Sequence, residues 1–429
     1  MTKPKRKSVM PSLPHSGNVA QTTLDNGIRV YAYENFASPA VVMSGILQVG
    51  ARDEAPERAG LAGFVADCLS RGTQKYSYEK LFELPESIGA GVGVSSAMHT
   101  SGFYAKSLSE DMPLMLELLG EMLMRPTFPR AQLEKERAEW LSALEERQNS
   151  TSAMCGLAFN EMCYPEGHPY RRDEEGYTAS VRAITRKDAM DFHRKFYSPQ
   201  GMSLVVVGAV KAAEAFERVA AALGGWRNER PTRAAFPITP KVQGQPTKRV
   251  TMPGKMQANV IMGLPGPARN DPDWRACVIM NSIFGEFGMY GRLGASVRKE
   301  EGLVYSIGSS FAGGPVPGGA WTLSAGTHPG TVARVIEIAR AEIRRIQDKK
   351  VTPRELADNK SYFIGSLPLA METNEGIAGQ IVNMVRYNLG LDYLLGYPDA
   401  VNAITQADIQ RVAQTWLDAD NFALASAGP

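Results

Sequence analysis

Apolar and polar residues alternate over residues 28–33 (Ile28-Arg29-Val30-Tyr31-Ala32-Tyr33), which predicts a strand, and the apolar run at 41–49 predicts a second. Residues 59–70 read as a helix. So do residues 112–124, where Leu114, Leu118 and Met122 fall on one face. The second half follows suit, with strand 257–262, helix 274–284, strand 322–326 and a helix over 331–347. Val332, Val335, Ile336, Ala339, Ile343 and Ile346 form the stripe of that last helix. Strands grouped with helices, rather than strictly alternating with them, predict an α+β fold with largely antiparallel sheets.

The pattern also repeats. Ala183-Ile184-Thr185 with Asp188 recurs as Ala403-Ile404-Thr405 with Asp408, an offset of 220 residues. At the same offset 196–201 aligns with 416–421, and the apolar run 204–208 aligns with 424–428. In both copies a threonine precedes a helix whose third position is aspartate, an acidic form of the capping box. Upstream, Thr127-Phe128-Pro129-Arg130 and Val351-Thr352-Pro353-Arg354 each lead into a charged helix. Two matches at consistent spacing imply two homologous domains. Pro231, Pro237, Pro240 and Pro246 punctuate a stretch with no apolar period, which suits a stiff linker. The expected organisation is a basic tail at 1–17, a first domain at 18–230, a linker at 231–246 and a second domain at 247–429.

Composition narrows the function. The chain has 429 residues, with 47 Lys and Arg against 45 Asp and Glu, so no global field exists to attract nucleic acid or an anionic membrane. No apolar stretch reaches the roughly 18 residues of a membrane span. The four cysteines (Cys68, Cys155, Cys163, Cys277) match no disulfide framework, redox pair or zinc spacing, and read as buried thiols. The proline-broken N-terminus lacks the apolar core of a signal peptide. A soluble cytoplasmic protein is expected.

Several segments together resemble the pitrilysin/insulinase-like zinc metallopeptidases, the inverzincins. They are Val49-Gly50-Ala51-Arg52-Asp53-Glu54, the helix beginning Gly60-Leu61-Ala62-Gly63, Gly72-Thr73, His168-Pro169-Tyr170, Phe196-Tyr197-Ser198-Pro199, Gly263-Leu264-Pro265-Gly266-Pro267 and Met289-Tyr290-Gly291-Arg292-Leu293. The resemblance runs from Leu24 to the C-terminus and implies two domains of antiparallel sheet packed with helices. The family's signature is H-x-x-E-H on a helix, two imidazoles binding zinc around a carboxylate base, with a distal glutamate on a later charged helix. At the matching positions this chain has Gly63, Ala66 and Asp67, and the distal position aligns with Ala143. No metal is therefore expected in this chain. No two of the five histidines (His15, His99, His168, His193, His328) lie within a helical turn, so no relocated zinc site is expected either.

The resemblance also implies a role for the second domain. The family's noncatalytic half supplies an arginine and a tyrosine seven residues apart, which here match Arg298 and Tyr305. Gly302 should end the helix carrying Arg298, and a strand should follow from Leu303. Guanidinium and phenol groups carry their protons at neutral pH and can donate to a scissile carbonyl and the oxyanion formed from it. The expected function is a noncatalytic, substrate-binding subunit of a heterodimeric zinc metalloendopeptidase. A homologous H-x-x-E-H partner would hold the zinc, and peptides would be the substrates. The alternative is a noncatalytic scaffold or peptide-binding protein, like the family's core subunits of respiratory complexes. Tyr290, Arg292 and Leu293 read equally well as packing or substrate contacts, and the loop Gly313-Gly314-Pro315-Val316-Pro317-Gly318-Gly319 reads as a turn between strands.

Overall fold

The computed structural model describes residues 13–286 and 291–429. Most of the basic tail, and Met289 and Tyr290 among the motif residues, lie outside them. The first sheet contains β1 (Ala20–Thr23), β2 (Arg29–Glu34), β3 (Ala40–Leu47), β4 (Gly91–Ser96), β5 (Ser101–Leu108) and β6 (Ser203–Gly208), in the order β1-β2-β6-β3-β5-β4. The second contains β7 (Thr247–Thr251), β8 (Ala258–Pro265), β9 (Val304–Phe311), β10 (Ala320–Thr327) and β11 (Ala423–Gly428), in the order β7-β11-β8-β10-β9. Removing β1 makes the two orders identical. Each sheet has one parallel pair, β2 with β6 and β7 with β11, and is otherwise antiparallel. The fold is α+β, built from two homologous domains.

The duplication extends to the helix ends. Thr185 caps the helix Arg186–Phe196 and Thr405 caps Gln406–Trp416. In each case the threonine hydroxyl accepts from the backbone N–H of Asp188 or Asp408, whose carboxylate accepts from the threonine N–H in return. The charged helices read from the second echo are Arg130–Arg147 and Pro353–Leu369. Residues 231–246 contain no helix or strand, yet the segment is docked. Arg233 donates to the Asp53 carboxylate (3.0 Å) and the His99 carbonyl (2.9 Å), and Phe236 packs on His99, His168 and Tyr170.

Both faces of each sheet carry buried residues, and the source of part of the cover is unexpected. The outer face of the first sheet (Val30, Val41, Met43, Leu204, Val206) packs on helices of its own half. Its inner face (Tyr31, Val42, Val205, Val207) is covered by Ile377, Ala378, Ile381 and Met384 of the helix Asn374–Arg386, from the other half. Conversely, Cys155, Ala158 and Phe159 of the helix Thr151–Cys163 cover Ala423, Ala425 and Ala427 of the second sheet. The alanines of β11 let that helix come close enough for the Cys155 thiol to lie 3.3 Å from the Ala425 carbonyl. At the other crossing Asn374 donates to the Ala40 carbonyl (3.1 Å). The halves thus exchange equivalent helices. Among the described residues, no helix is long and apolar enough to cross a membrane.

Ile381 is fully buried on the exchanged helix. Ile381→Ala is expected to lower unfolding stability by about 2–4 kcal/mol. Urea denaturation should show far-ultraviolet circular dichroism and tryptophan fluorescence changing together, because the cavity weakens both halves at once.

Candidate functional site

The exchanged helices cover only the parallel-paired side of each sheet. Between the uncovered strands lies a chamber of about 1080 Å³, reached by Gly63, Asp67 and Trp140 from the first half and by Ser310 and Thr322 from the second. One wall is the helix Leu61–Cys68, which carries the three positions of the expected metal motif. Glu54 closes the start of this helix. Its buried carboxylate accepts from the backbone N–H groups of Gly60 (3.1 Å) and Ala62 (2.9 Å), two donors a helix N-terminus leaves unpaired. Burial pushes the Glu54 carboxyl up to about 7, against the pull of those N–H groups and of Arg172.

Gly63 and Asp67 face the chamber one helical turn apart, whereas Ala66 is buried. Opposite them, on the helix Arg130–Arg147, stands Trp140. Its indole Nε1 donates to Asp67 Oδ2 (2.9 Å), and its ring meets Phe64 edge-on at 5.9 Å. A Cβ added to Gly63 would lie 2.7 Å from Trp140 Cη2, closer than two carbons can approach. Burial pushes the Asp67 carboxyl up, while the Trp140 N–H and Arg71 pull it back. Ala143, the residue aligned with the distal ligand, is exposed on the same helix, and Trp140 is the side chain that meets Gly63 and Asp67. These residues do not fit zinc. Two positions offer no donor atom, and the remaining carboxylate is engaged by an indole that occupies the adjoining space. Among the described residues no other group of three histidine, cysteine, aspartate or glutamate side chains could hold a metal ion.

The histidines have structural partners instead. His99 Nε2 lies 2.7 Å from the Tyr170 hydroxyl, His168 from Thr239 at 3.1 Å, and His193 from the Leu123 carbonyl at 2.9 Å. His15 and His328 accept from the backbone of Gly17 and Gly330. The cysteines are all buried thiols.

Residues 30–163 match the Insulinase (Peptidase family M16) family and residues 183–363 match the Peptidase M16 inactive domain. The chain belongs to peptidase family M16. An uncharacterized zinc protease of Streptomyces coelicolor is 27% identical over 374 residues, 85% of this chain and 80% of that protein. The mitochondrial cytochrome b-c1 complex subunit 1 of Homo sapiens is 28% identical over 266 residues, 62% of this chain and 55% of that one. A peptidase M16 inactive domain from Pseudomonas fluorescens has the same fold, with a TM-score of 0.89 at 24% identity over 96% of this chain and 98% of that one.

In the second M16 domain, residues Gly294–Glu300 wind as a π-helical turn bearing Arg298. Gly302, at φ +65°, ends it in a conformation that glycine adopts without strain, and β9 begins at Val304. Val304 pairs with Thr327 and Ser306 with Gly326, so Tyr305 is the extra residue of a β-bulge on an edge strand. Such bulges re-aim a side chain, and Tyr305 is 65% exposed. Arg298 is exposed too, and its guanidinium makes no ion pair among the described residues. Neither lines the chamber. Arg292 forms a bidentate pair with Glu355 (2.8 and 3.1 Å), and Leu293 is fully buried, so both hold the segment in place. Burial alone would raise the Glu355 carboxyl, but hydrogen bonds from Arg292 and Thr352 hold it down at about 2. The loop at 313–319 joins β9 to β10, and Gly313, Gly314 and Pro315 also line the chamber.

Glu54 makes the chamber wall sensitive to pH. Its carboxyl ionises less readily in the folded chain than at its ordinary value of 4.5, so its contribution is fully present below that value. The contribution is lost as pH rises through about 7, and over that window is worth about 3 kcal/mol. Glu54→Gln should flatten this part of the stability profile, measured by urea unfolding at pH 5 and pH 8.

Proposed function

We propose that this M16 chain is the noncatalytic, substrate-binding subunit of a heterodimeric zinc metalloendopeptidase. Its partner would be a homologous chain that carries H-x-x-E-H, zinc and the general base. The observation that carries this reading is the contrast between the two halves. The motif helix has an indole where ligands would stand, while Arg298, on the π-helical turn, and Tyr305, on the edge strand, are exposed. Exposed side chains with no ion pair among the described residues are available to another chain.

In the dimer, Arg298 would bind and orient the peptide backbone. The Tyr305 hydroxyl would donate to the oxyanion that forms as water adds to the scissile carbonyl. The partner would supply the activated water, so the two subunits would divide the work of one reaction. The purified chain alone is expected to cleave no peptide, and adding the partner should restore cleavage. Tyr305→Phe should then lower kcat by about ten- to a thousandfold, through loss of one oxyanion donor, with the dimer intact by size-exclusion chromatography.

A second reading is favoured by the similarity to cytochrome b-c1 complex subunit 1, namely a noncatalytic scaffold within a larger assembly. The same substitutions separate the two. A scaffold would work unchanged with Arg298→Ala and Tyr305→Phe, whereas the peptidase subunit would not. Peptide cleavage by the isolated chain would refute both.

A further inference from the structure

In a zinc-binding member of the family, as the resemblance implies, the metal would join two helices: the motif helix would give two ligands and the later charged helix the third. In this chain the same two helices, Leu61–Cys68 and Arg130–Arg147, are joined by other means, at Trp140, about one turn before Ala143. Trp140 donates to Asp67 at 2.9 Å and packs edge-on against Phe64, its ring 87° from that of Phe64. Just beyond the first helix, Arg71 of the turn Leu69–Arg71 pairs with Glu139 (3.0 Å) and with the buried Glu136 of the second.

We infer that Trp140 has taken over the bridging role of the metal, and that its indole closes the site to zinc even where the motif residues are restored. Space as well as ligand identity keeps the metal out. At position 63 the fold accepts glycine because the ring edge of Trp140 stands 2.7 Å from where a Cβ would be. Any larger residue there, histidine included, must displace the indole. Displacing it strips the Asp67 carboxylate of its N–H donor and the Phe64 ring of its neighbour. Gly63, Asp67 and Trp140 therefore form one interlocked set, in which changing one member disturbs the other two. The inference does not depend on a partner subunit or on any peptide, and holds equally for a scaffold.

The test is a double-mutant cycle on the full chain, read by thermal unfolding. Alanine is a better helix former than glycine, so Gly63→Ala would stabilise an unobstructed helix. With Trp140 present, Gly63→Ala is instead expected to lower Tm by roughly 2–4 °C and to shift tryptophan fluorescence. In the Trp140→Ala background the same change should raise Tm by about 1 °C. An equal rise in both backgrounds would overturn the inference. Metal analysis after equilibrium dialysis against zinc gives an independent reading. The quadruple change Gly63→His, Ala66→Glu, Asp67→His, Ala143→Glu should take up no stoichiometric zinc, and adding Trp140→Ala should bring uptake to about one ion per chain. Stoichiometric zinc with Trp140 intact, or none in either variant, would show that the indole is not the obstruction.

Discussion

The exchange of helices between the two halves is the constraint from which the rest follows. Each sheet has one apolar face that its own half leaves uncovered, and the equivalent helix of the other half covers it. Buried aliphatic side chains are worth about 1.5–3 kcal/mol each. Ile377, Ile381 and Met384 on one crossing and Phe159 on the other therefore bind the halves far more tightly than a linker could. Because the helices cover only part of each sheet, they also bound what is left open: strands β4, β9 and β10 line the chamber together with Gly156 and Asn160 of one exchanged helix and Arg386 of the other.

On that frame the two ends of the chain have diverged. The motif helix keeps the geometry of a ligand-bearing element, with Gly63 and Asp67 one turn apart and Glu54 satisfying its N-terminal donors, but the chemistry has been replaced by a packed indole. The second half keeps a π-helical turn, a left-handed glycine and a bulged edge strand in succession. Each of these is a departure from regular structure that serves to set the direction of a side chain. Irregular backbone persists where regular packing would not require it, which is why Arg298 and Tyr305, rather than the motif helix, carry the functional reading.

Much of the fold was legible from residue order. The period of apolar positions marked the strands and helices. The two threonine–aspartate caps, which form identical hydrogen bonds at Thr185 and Thr405, revealed the duplication. The exchange was not legible, because a helix's apolar face shows that something covers it and not which sheet does. Ile377 and Ile381 would look the same packed on either. Trp140 was missed for a related reason. A tryptophan in a charged helix reads as a partly buried packing residue, and only its distance to Gly63 shows why that glycine is there. Ala143, the position aligned with the distal ligand, is exposed about one helical turn further along the same helix. Glu54 belonged to a recognised motif, but its reach over six residues to the Gly60 N–H depends on the intervening turn.

The crossing of helix 374–386 onto the first sheet has a consequence for how the chain is made. Translation delivers β6 long before it delivers the residues that shield Val42, Val205 and Val207. At ordinary rates of synthesis, that apolar surface waits on the order of ten seconds or more beside the ribosome, without its cover. The inner face of the first sheet gains its intramolecular cover only after residues 374–386 have emerged.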